Sequence, residues 1–161
     1  MQRFFATNDS YVSLFQRVAL AALAFAHGAQ KLMGWWGGYG YAGTMQWFTE
    51  TMGVPAPAAL LVILVETAGM IALAAGFLTR LVSAGFALTM VGAIAMMHAQ
   101  HGFYMNWGGN LGGEGFEYNL ALLALAIPLA IRGAGAWSLD AVIARRLGAR
   151  TNPSFEAARA A

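Results

Sequence analysis

The sequence predicts an all-α membrane protein: a four-transmembrane-helix bundle with a short C-terminal interfacial helix. Three observations predict it. Of 161 residues, 59% are hydrophobic and only 10% charged, whereas a soluble domain carries about a quarter charged residues. Four apolar runs, at about 11–33, 55–77, 80–100 and 117–132, each approach the roughly 20 residues needed to cross a hydrocarbon core. The stretches between them are rich in glycine and aromatic residues, the composition of loops at headgroup level. Four spans use up most of the length, so a single integral membrane domain over residues 1–161 is expected.

Residues 1–10 are polar and the run after them is long enough to span, so span one, Tyr11–Met33, reads as a retained signal-anchor helix. Trp35, Trp36, Tyr39 and Tyr41 follow at the height of the headgroups. Thr44–Met52 is expected as a short helix lying in the interface, with Met45, Phe48 and Met52 on one side, ended by Gly53. Pro55 and Pro57 punctuate the start of span two, which holds Glu66. Leu78-Thr79-Arg80 makes a tight connection to span three, whose small residues Ser83, Ala84, Gly85, Ala87, Gly92 and Ala93 permit close helix approach. A loop with six glycines, Gly102–Gly115, leads to span four at Glu117. Pro128 lies within that span and is expected to kink it. Ser138 then caps an interfacial helix over about 138–149, with Leu139, Val142, Ile143 and Leu147 on one face and Arg145, Arg146 and Arg150 away from it.

The chain carries one lysine and eight arginines, for a net charge of +2. Arg3, Arg80, Arg132, Arg145, Arg146 and Arg150 fall at the N-terminus, the second connection and the C-terminal tail, with Arg159 beyond them. With four spans, this asymmetry is an orientation signal that places both termini in the cytoplasm. The basic tail is short and has no interleaved aromatics, so no nucleic-acid partner is expected. With no cysteine, dithiol exchange, iron–sulfur clusters and thiolate metal sites are excluded.

Ionisable residues inside or at the rims of the runs are the candidates for function: Arg17, His27, Lys31, Glu66, His98 and Glu117. A charge at bilayer depth costs several kcal/mol even on lenient scales, so such groups are paired or used. His27 and Lys31 are four apart and share a helix face. Glu66 falls near the midplane, His98 near the outer end of span three and Glu117 at the outer start of span four. All four spans thus bring a polar group to the outer half of the bundle. Arg17, in the inner half, is expected to reach Glu66 from below. Each residue also has a bland role open to it: Lys31 as a snorkelling anchor, His27 as a packing residue, Glu66–Arg17 as a structural pair, Glu117 as a helix start, and His98 and His101 as interfacial residues.

One chemistry that fits is quinone binding. A quinone needs an apolar slot for its tail and polar groups for two carbonyl oxygens, and its reduction consumes two protons. His27 can donate to one carbonyl, Glu66 or Glu117 can relay protons, and Lys31 can stabilise a developing anion. Haem held between His27 and His98 is a weaker alternative, because these are the only histidines within the spans. A metal held by His98, His101 and Glu117 lacks tight ligand spacing, so no metal and no covalent cofactor are expected.

The order and spacing of several short motifs resemble the DoxX family of small four-helix membrane proteins. They are Arg17; His27-Gly28-x-Gln30-Lys31-Leu32; Gly53-Val54-Pro55-x-Pro57; Glu66-x-x-Gly69 with Leu73, Gly76 and Leu78-Thr79-Arg80; and Glu117-x-Asn119 with Gly133-x-Gly135 and Ser138-Leu139-Asp140. The resemblance implies a helical bundle in the cytoplasmic membrane and a redox association, since the family includes the small subunit of a thiosulfate:quinone oxidoreductase. The expected function is therefore a quinone-interacting subunit of a membrane oxidoreductase, working with a protein partner that supplies electrons. Its candidate site is His27, Lys31, Glu66, His98 and Glu117, with Arg17 in support. The other expectation is a structural or assembly subunit of a larger membrane complex without its own redox activity. The lipid bilayer is a partner in either case, and a homo-oligomer stays open.

Overall fold

The computed structural model describes residues 2–147, with side chains from Phe4 onward. The side chain of Arg3, the last residues of the expected 138–149 helix, Arg150 and Arg159 lie outside that range. Among the described residues the chain is all-helical, without strands.

A first turn, α1 (Gln2–Phe5), precedes α2 (Tyr11–Met33). Ser10 caps α2, its hydroxyl accepting from the Ser13 amide at 3.3 Å, and Gly34 ends it in the left-handed conformation. The short α3 (Gly40–Gln46) continues into a wide, π-type turn at Trp47–Thr51. Next come α4 (Ala56–Ala75) and α5 (Thr79–His101). Each is interrupted by a further π-type turn, at Val65–Gly69 in α4 and Ile94–His98 in α5. Helix α6 (Glu117–Arg132) runs unbroken through Pro128, and α7 (Leu139–Arg146) is capped by Ser138, whose hydroxyl accepts from the Ala141 amide at 3.2 Å.

Three helices, α2, α4 and α5, are long and apolar enough to cross a membrane. Their outward surfaces are apolar: Phe15, Leu61, Ile71 and Leu88 are exposed, a distribution that suits hydrocarbon and not water. Helix α6, of 16 residues, packs along α5 and α2. The main core lies between these four helices. It combines Leu20, Ala21 and Ala24 of α2 with Met70 and Leu73 of α4, Phe86 and Met90 of α5, and Leu122, Ala126 and Leu129 of α6.

Helix α3 differs from expectation. It begins at Gly40, four residues before the predicted Thr44. Its apolar side is also not offered to lipid: Phe48 is buried against Ala59 and Ile63 of α4, with Met45 and Met52 packed beside it. Apolar side chains shed water as well against a neighbouring helix as against acyl chains.

At the end of the helices where α2 and α5 begin and α4 and α6 end, side chains close the helix termini. The free carbonyls of a helix C-terminus need donors. Arg80 supplies them for α6, bonding the Ala130 carbonyl at 3.2 Å, the Ile131 carbonyl and, at 3.0 Å, the Ala6 carbonyl. The buried Asp140 carboxylate accepts from the amides of Leu78 at 2.9 Å and Thr79 at 3.0 Å, capping α5. Leu78 there holds a left-handed φ of 51°, a conformation costing a non-glycine residue about 1–2 kcal/mol. The same end gathers both described chain ends: Thr7 accepts from the Gly135 amide at 2.7 Å, and the Ser10 carbonyl accepts from Ala136 at 3.1 Å.

Candidate functional site

Helices α2 and α4 run antiparallel, and their closest approach is at Gly28. A side-chain carbon at Gly28 would collide with the Glu66 backbone carbonyl and the Thr67 methyl group. Only glycine admits this contact. It falls within the wide turn Val65–Gly69, where the Thr67 hydroxyl donates to the Ile63 carbonyl at 2.6 Å. Wide turns of this type occur mostly as single interruptions of α-helices, often at functional sites.

The close approach carries Lys31, one turn beyond Gly28, over Glu66. The Lys31 ammonium pairs with Glu66 Oε2. The Glu66 side chain is only 4% exposed and that of Lys31 26%, so the acid is enclosed and the base reaches outward. The His27 ring is exposed and lies within Coulombic reach of both charges. On its other side stands Tyr118 of α6, with ring centroids 6.2 Å apart and planes inclined by 53°. One residue on, the buried Asn119 amide donates to the Met90 sulfur at 3.6 Å, which ties α6 to α5. The result is a base–acid pair beside an imidazole and a phenol, contributed by three helices.

The other candidates lie elsewhere. Arg17 does not meet Glu66. It is 1% exposed, and its guanidinium donates to the carbonyls of Leu73 (3.4 Å), Ala74, Ala136 (3.0 Å) and Trp137 (2.7 Å). The helix register explains this. Gly28 faces Glu66, so eleven residues earlier Arg17 faces Gly76, about 16 Å along the axis and beyond an arginine's reach. There it closes the end of α4, within Coulombic reach of Asp140. His98 and Glu117 fasten the loop between α5 and α6. The His98 Nδ1 is 2.8 Å from the Glu114 carbonyl, and Glu117 Oε2 accepts from the Met105 amide at 3.2 Å. Both side chains hold backbone groups of that loop, away from the His27–Lys31–Glu66 group.

Of the five expected site residues, the structure therefore brings together His27, Lys31 and Glu66. Tyr118 and Gly28 join them. Tyr118 adjoins Glu117 in sequence, but only the packing of α6 against α2 reveals that its ring meets His27. No group of three or more His, Asp or Glu side chains positioned to hold a metal ion occurs among the described residues.

Comparison with known proteins places this arrangement in context. Residues 12–99, which include His27, Lys31 and Glu66, match the DoxX family. The chain is similar to the inner membrane protein YqjF of Escherichia coli (strain K12), 38% identical over 116 residues that make up 70% of this chain and 82% of the relative. It is also similar to CatD of Bacillus subtilis (strain 168), provisionally named an oxidoreductase, at 30% identity over 128 residues, 80% of this chain and 84% of the relative. No solved structure matches the chain.

Proposed function

Because this chain belongs to the DoxX family, we propose that it is a quinone-interacting subunit of a membrane oxidoreductase system. One observation carries the reading: an exposed imidazole, His27, stands beside an ion pair whose acid, Glu66, is buried within a membrane-type helix. Ionisable groups at such depth are expensive and by default mark a site. The oxidoreductase in CatD's provisional name points the same way.

When bound, a quinone presents two carbonyl acceptors and takes up two electrons and two protons on reduction. The residues present fit such a headgroup. His27 donates to one carbonyl from the open side of α2. Lys31 offers positive charge on the same face. Glu66 holds the ammonium in place, and Tyr118 forms an aromatic wall opposite the imidazole. A cysteine-free chain has no dithiol to pass electrons, and this reading assigns their supply to a protein partner.

The membrane arrangement that suits this role has four spans. Helix α6 is about 24 Å long, shorter than a hydrocarbon core of about 30 Å, a mismatch that local thinning of the bilayer absorbs. The described end bearing Arg80, Arg132, Arg145 and Arg146 faces the cytoplasm, with both termini. The site then lies toward the opposite leaflet.

A second reading, a structural or assembly subunit, draws on the Gly28–Glu66 contact, because the Lys31–Glu66 pair can serve as a helix lock. Purification in mild detergent and solvent extraction of bound quinone separate the two. The quinone reading expects co-purifying quinone that is lost from His27→Ala and Glu66→Gln. Quinone retained at wild-type level in both variants would overturn the site, and a stoichiometric protein partner without quinone would favour assembly.

A further inference from the structure

At the end of the helices opposite the described chain ends, an open cavity of about 310 Å³ is walled by Trp47 and Met52 from the α3 side and by Met96, Met97, His98 and His101 from α5. We propose that this cavity binds a soft monovalent cation, Cu(I). The proposal stands whether or not the quinone reading holds, because it shares no residue with the His27–Lys31–Glu66 group.

The donor set selects the ion. Three methionines and two histidines line the cavity, and thioether sulfur is a soft donor. Thioethers favour Cu(I), whereas zinc and harder divalent ions prefer imidazole, carboxylate and thiolate. The local backbone gathers these donors. Met97 and His101 stand four residues apart across the wide turn and the tight turn after it, and both line the cavity. In a regular helix Met96, Met97 and His98 would fan out at about 100° per residue. Here they sit in the wide turn Ile94–His98 at the helix end, and all three line the cavity.

The His98 imidazole is also held from behind. A carbonyl oxygen can only accept, so the His98 Nδ1 carries the proton it donates to Glu114 at 2.8 Å. That bond leaves the Nε2 lone pair as the free donor, the arrangement that ligating histidines usually show. Gly113 packs on the Cε1–Nε2–Cδ2 side of the His101 ring, which leaves Nδ1 as that ring's open nitrogen. Glu114 contributes a single carboxylate at the cavity wall, its Oε2 accepting from the Asn106 amide at 2.7 Å. One carboxylate beside thioether and imidazole donors suits a monovalent ion. The Trp47 ring adds an aromatic face that attracts a cation, and the 50% exposure of Met96 leaves a path in.

The test uses the full chain in mild detergent, under reducing, oxygen-free conditions, titrated with Cu(I) against a chromogenic Cu(I) chelator. One equivalent is expected to bind, with quenching of tryptophan fluorescence that is reduced in Trp47→Phe. The paired change Met96→Leu with Met97→Leu conserves volume at accessible positions, so thermal stability should not change. It should weaken Cu(I) binding by more than the about 10–100-fold that loss of a supporting partner costs. X-ray absorption should show sulfur together with nitrogen scatterers. No Cu(I) uptake by the wild type, equal affinity in the double-Met variant, or Zn(II) bound as tightly as Cu(I) would each overturn the proposal.

Discussion

Gly28 and the backbone carbonyl of Glu66 occupy adjoining space with no room for a methyl group between them. This contact sets how closely α2 and α4 approach and thereby the reach of Lys31. Gly28→Ala should push the helices apart, at an overpacking cost of about 1–3 kcal/mol. The Lys31–Glu66 pair should loosen with it. Thermal unfolding in detergent should show a lowered midpoint, and a midpoint equal to wild type would contradict the close packing.

Removing one partner of a buried pair is worse than removing both. Lys31→Met strands the enclosed Glu66 carboxylate and should cost about 3–5 kcal/mol. Lys31→Met combined with Glu66→Met replaces the pair by apolar groups and should recover much of that loss. A double-mutant cycle of denaturant unfolding measures the coupling. Additive losses would mean that the two groups do not interact.

Arg17 is an anchor for four backbone carbonyls, two at the end of α4 and two in the turn before α7. A lysine has the charge but not the planar fork that spans such a set. Arg17→Lys should therefore destabilise by about 1–3 kcal/mol through unsatisfied carbonyls, while the quinone content per folded protein stays at wild-type level. A selective loss of quinone with intact stability would instead return Arg17 to the site.

Asp140 reaches back from α7 to hold the amides of Leu78 and Thr79. Asp140→Ala removes a charged cap and should cost about 0.5–2 kcal/mol, in the range for N-caps. It also releases Leu78 from the left-handed conformation that the cap sustains. Hydrogen exchange should accelerate first at Leu78 and Thr79. Uniform protection in the variant would show that the cap is dispensable.

The helices were legible because hydropathy reports length and apolarity directly. The run 11–33 is the helix Tyr11–Met33, and 117–132 is Glu117–Arg132. The caps at Ser10 and Ser138 and the stop at Gly34 follow from local chemistry. The candidate site was legible in part. Sequence depth places Glu66 and Lys31 in one half of the molecule, but depth carries no azimuth. It therefore could not separate His98 and Glu117, which turn to the α5–α6 loop, from His27, which turns to Tyr118. Nor could it align Arg17 with Gly76 instead of Glu66, since that depends on where Gly28 lets two backbones touch.

The wide turn at Val65–Gly69 divides α4 into two lengths that are out of phase with each other. Before it, Ala59 and Ile63 serve the small cluster under Phe48; after it, Met70 and Leu73 serve the main core. A helical wheel drawn through the whole of α4 would therefore misplace one half by about 100°, the step of one residue. The wide turn thus works as a joint whose extra residue lets one helix serve two separate interiors.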